Sequence, residues 1–401
     1  MSDFGGELRR LLAERGISLS AAAREAGCSK GYLSNAANGR RALTPRVAGG
    51  LDRVFGTDGT FAAHASVPPP DSGQASATQG RPGAITRQDL QERLGHALAH
   101  PSGADLIVVA HLREQVRRID ERYDRSPAAA LIAETGECLS KIGLLSTHAR
   151  RADVRRDLRA AEAEAATLMG QLVWDASQRR DQTTALAYYD RAAAAARQRE
   201  DRAAEGLALL RTSMVALYGH KDPRAGLAAC QHTAEIADGA SSVLAGLALL
   251  HAAEAHAMLG ERQPCEKALA AADRRFGQIS PDDPAIDLYS PAQPGRLAGS
   301  CYLFLGDTRR AALVLEAAAQ QLQDRSKAEA IIQGNLALAF ISQSRADEAA
   351  AALHKAIDVI EATWSGGGLT IVFSAARQLR RWQRLTTVRE VSDRLLALMA
   401  S

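Results

Sequence analysis

The hexapeptide Glu205-Gly-Leu-Ala-Leu-Leu210 returns forty residues later as Ala245-Gly-Leu-Ala-Leu-Leu250. Self-similarity at a period of this length points to stacked supersecondary units, none of which buries its apolar face alone. Short turns keep the same beat, near Arg180, His220, Gly260, Gly306 and Ser344, at intervals of 40, 40, 46 and 38 residues. Each turn lies between two stretches with apolar residues at helical spacing. The longest interval holds Pro281-Asp-Asp-Pro284 and Pro291, so an insertion loop accounts for its extra length. From residue 86 onward strand signals are almost absent and alanine is abundant. Segments 86–99, 103–124 and 127–149 read as helices ahead of the repeats. The expected fold class is all-α, with a solenoid of helical hairpins over 86–401.

The N-terminal sixty-five residues read differently. Phe4, Leu8, Leu11 and Leu12 give helical spacing over 3–15, and Gly16 stops that helix. Ser18 or Ser20 caps a second helix that runs to about Ala26. Gly27 suits a tight turn, and Ser29 caps a third helix that ends at Asn38-Gly39. Pro45 opens a helix over 44–55 with Val47, Leu51 and Val54 inward. A short helix pair joined by a tight turn places a polar helix end in the DNA major groove. Residues 1–65 hold nine Lys/Arg against six Asp/Glu, so the whole net charge of +3 lies there. A positive patch suits phosphate binding, although an excess this small has little weight of its own. Residues 66–85, running from Ser66-Val-Pro-Pro-Pro through Gly80-Arg-Pro-Gly83, read as a flexible linker with almost nothing to bury.

Hydrophobic residues at 46% and charged residues at 24% permit a sizeable core and argue against bulk disorder. No apolar run reaches the ~18 residues of a membrane helix, and the N-terminus lacks a secretory pattern, so no membrane partner and a cytoplasmic location are expected. Cys28, Cys138, Cys230, Cys265 and Cys301 lie far apart, which fits a reducing compartment and speaks against a zinc site.

Base contact is expected from the start of the third helix, first from Lys30 and Tyr32, then from Ser34 and Asn35. Lysine donates to guanine O6/N7 and asparagine pairs with adenine. Ser29, Asn38, Arg40 and Arg41 suit phosphate contacts that set register. The bland alternative is that Tyr32 packs inward and Asn38 simply ends the helix. In the repeats, the positions nine residues before each turn are Gln171, Arg211, His251, Leu297 and Asn335. They line the inner surface of a superhelix if the units align, with Trp174, Met214, Tyr218, Glu254 and Arg296 beside them. Such a stripe hydrogen-bonds a peptide backbone or a carboxylate, or is a solvated groove with no ligand. The candidate ligand residues are therefore Gln171, Trp174, Arg211, Met214, His251, Glu254, Arg296 and Asn335.

No catalytic constellation, cofactor or metal is expected. His251-Ala-Ala-Glu-Ala-His256 puts His251 and Glu254 on one helical face but turns His256 away. Gly366-Gly-Gly368 lacks a following Lys-Ser/Thr and reads as a turn between helices. The stripe Ala110, Leu112, Val116, Ile119 and Tyr123 fits either a dimer face or a helix stacked within the repeats.

Residues 22–39, Ala-Ala-Arg-Glu-Ala-Gly-Cys-Ser-Lys-Gly-Tyr-Leu-Ser-Asn-Ala-Ala-Asn-Gly, resemble the lambda-repressor-like (XRE-type) helix-turn-helix domain, with Ala37 where that family often has an acidic residue. The repeats resemble tetratricopeptide units, most clearly at Ala298-Gly299, Tyr302, Gly306-Asp307, Ala311, Leu315 and Ala318. The combined plan resembles bacterial quorum-sensing peptide-receptor regulators and actinobacterial regulators of the same layout. That resemblance implies a homodimeric transcription regulator that binds a double-stranded DNA operator and senses a signalling peptide or small-molecule effector. The competing expectation is a protein-interaction scaffold with secondary DNA binding, and an enzyme ranks below both.

Overall fold

The computed structural model describes residues 4–64, 86–322 and 326–400, apart from 16, 18–21, 23–24, 27–32, 34–35, 38–42, 44 and 58. All regular structure among the described residues is helical. The chain divides into two compact units, Met1–Gly83 and Ala84–Ser401. Residues 65–85, which hold the expected linker, lie outside the described residues.

In the first unit, α1 spans Phe4–Arg15 and α2 spans Pro45–Phe55. The helical spacing of their apolar residues is realised as burial. Leu8, Leu11, Val47, Leu51 and Phe55 join Ala22, Ala26, Leu33, Ala36 and Phe61 in one core. Phe4, Leu12 and Val54 pack half-buried on its edge. A Cβ on Gly50 would stand 2.6 Å from the Ala26 carbonyl oxygen, so glycine is what lets α2 approach that closely. Past α2, the Asp52 carboxylate accepts from Thr57 Oγ1 and from the amides of Phe61 and Ala62, tying down the exit of the unit.

The second unit opens with α3 (Arg87–Ala99), α4 (Leu106–Asp120) and α5 (Ala129–His148). Twelve described helices follow, in six pairs: α6 (Ala152–Ala176) with α7 (Gln182–Gln198), α8 (Arg202–Met214) with α9 (Pro223–Ala237), α10 (Ser242–Met258) with α11 (Arg262–Phe276), α12 (Ala292–Phe304) with α13 (Thr308–Gln320), α14 (Lys327–Ser342) with α15 (Ala346–Thr363), and α16 (Gly366–Leu379) with α17 (Thr386–Ala400). Polar side chains start many of them. Thr86 and Asp89 form a reciprocal capping box on α3, and Asp105, Asp181, Asp201, Asp222, Ser241, Asp307 and Ser365 cap free amides of their helices. The turns inside successive pairs use left-handed backbone at Arg179, Lys221, Gly260, Gly306 and Ser344. The last three stand where the sequence placed them; the first two are displaced by one residue. The extra length of the longest interval is the segment between α11 and α12, where the buried Asp283 accepts from Ser241 and Val243 at the start of α10.

Each pair packs on the next, and the first helices of the pairs, α6, α8, α10, α12, α14 and α16, also touch one another in succession, forming an inner layer. Small residues set the spacing within pairs. A Cβ on Gly170 would lie 2.6 Å from Tyr189, one on Gly246 2.5 Å from Phe276, and one on Gly299 2.4 Å from Leu315. The stack then closes on itself, because α16 also reaches α6.

One expectation is corrected here, and one open alternative narrows. Gly366-Gly-Gly368 is the first turn of α16 rather than a turn between helices. The glycines are there for contact: a Cβ at 366 would sit 2.5 Å from the Asp175 carbonyl oxygen, and one at 367 would sit 2.2 Å from the Arg179 guanidinium. The stripe on 103–124 follows the second of its two readings, a helix stacked within the unit. Leu112, Val116 and Ile119 are buried inside the unit, Ala110 is exposed, and Tyr123 stands beyond the helix end in a short 3-10 turn.

Candidate functional site

Six of the eight candidate ligand residues meet on the inner layer. Trp174 comes from the end of α6, Arg211 and Met214 from α8, His251 and Glu254 from α10, and Arg296 from α12. The element that draws them together is the π-helical turn Val215–His220, which continues α8 and carries Tyr218. Turns of this type are frequent at functional sites because the extra residue re-aims the side chains around it.

Tyr218 is the hub. Its hydroxyl donates to Glu254 Oε2 and lies 2.7 Å from His251 Nδ1. Since that proton goes to the carboxylate, the imidazole completes the chain as the Nδ1–H tautomer, donating to the Tyr218 oxygen. Ser300 Oγ donates to the other carboxylate oxygen, Oε1, at 2.5 Å. Burial pushes His251 below its ordinary range, against the pull of Glu254. Burial opposes ionisation of Glu254, yet His251, Ser300 and Tyr218 together hold it below the usual carboxylate range. The state at neutral pH is thus a neutral imidazole and an ionised carboxylate whose oxygens are both engaged.

Around this chain stand cations with no such partner. Arg179 lies over the rings of Trp174 at 4.9 Å and Tyr218 at 5.3 Å. Arg211 Nη1 meets only the Met214 sulfur, at 3.8 Å. Arg296 is half-buried, and desolvation lowers it from its ordinary range. The remaining two candidates stand apart. Gln171 is buried on α6 facing the Tyr123 hydroxyl, and Asn335, buried on α14, shares no hydrogen bond with the others. Leu297, in the stripe by count, is core. His256 turns to Glu261, 2.6 Å away, and leaves the cluster. Among the described residues no three His, Cys, Asp or Glu side chains are grouped to hold a metal ion.

Sequence reasoning missed Arg179, Ser300, Asp175 and Lys327. Arg179 was one residue from the marked turn. The others carried no signal: Lys327 Nζ meets Asp175 Oδ2 at 2.7 Å across 152 residues of sequence. That buried pair also receives the Gly366 amide on Asp175 Oδ1, so it sits where α16 meets α6. The Lys327 ammonium lies 3.8 Å from the Tyr123 ring centroid.

In the first unit, Leu33 and Ala36 are helical and buried, and Ala37 is half-buried. Ser29, Lys30, Tyr32, Ser34, Asn35, Asn38, Arg40 and Arg41 lie outside the described residues. Residues 3–65 match the family model of a helix-turn-helix domain. This helix-turn-helix domain is the N-terminal unit of an all-α chain. No curated protein matches the chain. Among the described residues, no helix is long and apolar enough to cross a membrane.

Proposed function

We propose that this chain is a sequence-specific DNA-binding transcriptional regulator, not an enzyme, whose tetratricopeptide-like unit dimerises and senses a peptide or small-molecule effector. The match of residues 3–65 to a helix-turn-helix domain carries the reading. Lys30, Tyr32, Ser34 and Asn35 are proposed to reach base edges, and Ser29, Asn38, Arg40 and Arg41 to hold phosphates. Sensing is supported by the convergence of Trp174, Arg211, Met214, His251, Glu254 and Arg296 on one layer of the repeats. For dimerisation we propose the groove of about 510 Å³ between α3 and α4, where Leu90, Leu106, Ile107 and Ala110 are flanked by His111, Glu114 and Arg118. On a dimer, two heads address half-sites one helical turn apart or a multiple of it. An effector shifts their spacing only if it binds two shapes of the stack unequally.

The test is fluorescence anisotropy with the full chain on duplexes from its own upstream region, against random duplex, across a salt series. Preference for one duplex is expected, with a steep fall in affinity as salt rises. Lys30→Ala with Arg40→Ala is expected to abolish the preference. Equal affinity for every duplex at moderate salt overturns the reading.

A further inference from the structure

The inner layer presents buried hydrogen-bond donors with nothing to donate to. Trp174 Nε1, the Tyr189 hydroxyl and Arg211 Nε have no partner, although Trp174 is 5% exposed and Tyr189 fully buried. Leaving such groups unsatisfied costs about 1–3 kcal/mol each, so a native chain that keeps three of them calls for a reason. Trp174 and Tyr189 pack in one small cluster with Val215, Met214 and Tyr218, and Arg211 reaches that cluster at the Met214 sulfur.

The same place holds three arginines that make no ion pair. Among the described residues, Arg179, Arg211 and Arg296 have no carboxylate within 4 Å. They are also near one another. Arg179 and Arg211 both act electrostatically on Tyr189, Arg179 and Arg296 on Tyr218, and Arg211 and Arg296 on His251. Of the nearby anions, Glu254 is engaged by Tyr218 and Ser300, and Asp175 by Lys327 and the Gly366 amide. Asp120 and Asp124 lie within electrostatic range of Arg211 and Arg296 respectively, but make no ion pair with them. Arg179 is held ready by two ring faces and by Gly367, where any Cβ would strike its guanidinium. Three planar cations, Arg211 among them with its unpartnered Nε, and the two further orphan donors of Trp174 and Tyr189 call for a ligand group made only of acceptors, and an oxyanion is that group.

We propose that Arg179, Arg211 and Arg296, with Trp174 Nε1 and the Tyr189 hydroxyl, form a binding site for the oxyanion end of a small ligand, a carboxylate or a phosphate ester. The proposal deepens the sensing reading above and rests on it for the consequence of binding. The site itself is tested without DNA, so either can fail alone.

The experiment is thermal melting of the full chain with citrate, inorganic phosphate or tripolyphosphate, each against sodium chloride at matched ionic strength. At least one of the three is expected to raise the melting temperature saturably. Arg211→Gln and Arg296→Gln are each expected to weaken the apparent affinity about tenfold or more, while Arg117→Gln, on an exposed face of α4, leaves it unchanged. Citrate winning over the phosphates identifies a carboxylate ligand, and the reverse a phosphate ester. No rise over chloride, or an equal rise in the glutamine variants, overturns the proposal. Should those variants fail to fold, a chain with Trp364→Phe and Trp382→Phe leaves Trp174 as the sole indole. Its emission is expected to change saturably with the same anion, and a flat titration overturns the site. An anion that binds but leaves operator affinity unchanged removes the sensing reading and keeps the site.

Discussion

His251 shows how one side chain is assigned its state by its surroundings. Burial disfavours its protonated form, and its Nδ1–H has a fixed acceptor in Tyr218. A histidine kept neutral when folded, yet free to take a proton when unfolded, penalises folding as pH falls below its ordinary 6.5. Glu254 is depressed instead, so its contribution is present above 4.5 and is lost only at lower pH. Between pH 7 and 5 the loss in this cluster therefore comes from His251. The variant His251→Asn keeps a donor near Nδ1 but cannot titrate. Urea denaturation at pH 7, 6 and 5 is expected to show a shallower decline for the variant, by at most about 1.4 kcal/mol per pH unit. Parallel declines would show that His251 takes its proton as readily folded as unfolded. Spacing alone put His251 and Glu254 on one face; the hydroxyl between them comes from another helix, which no local pattern reveals.

The elements of the repeats depend on glycine and alanine to bring helices together. Gly170, Gly246 and Gly299 each sit in the first helix of a pair, against a large side chain of the second. The Gly299→Ala variant forces a methyl into Leu315, at a site where Cγ is already 2.4 Å from an ideal Cβ. Overpacking of this kind costs about 1–3 kcal/mol, against a gain of roughly 0.5–1 kcal/mol from replacing a helical glycine. A net loss is expected in chemical denaturation. A stabilised variant would mean that Leu315 re-packs freely and that small size there is not what spaces the helices. The two glycines of the repeated hexapeptide differ in this respect: Gly246 is tight against Phe276, whereas the nearest neighbours of Gly206 are at ordinary van der Waals distance.

Across the second unit, one buried ion pair joins its distant parts. Lys327 and Asp175 are 5% and 7% exposed at the side chain, and their ion pair lies where the last pairs return to α6. The Lys327→Met variant leaves the Asp175 carboxylate buried without its cation, and is expected to cost about 3–5 kcal/mol in chemical denaturation. Pairing it with Asp175→Asn should recover part of that loss, since the stranded charge is then gone. No recovery would mean that the two residues do not close the stack together. The helical character of the chain, the hairpin period and the N-terminal helix-turn-helix domain were readable from the chain, because helical spacing and turn chemistry act over a few residues. The closure of the stack, the gathering of three arginines around unpaired donors and the packing role of Gly366-Gly-Gly368 came only with the fold. These join side chains separated by tens to more than a hundred residues, whose meeting depends on the small rotation between successive hairpins summed along the stack.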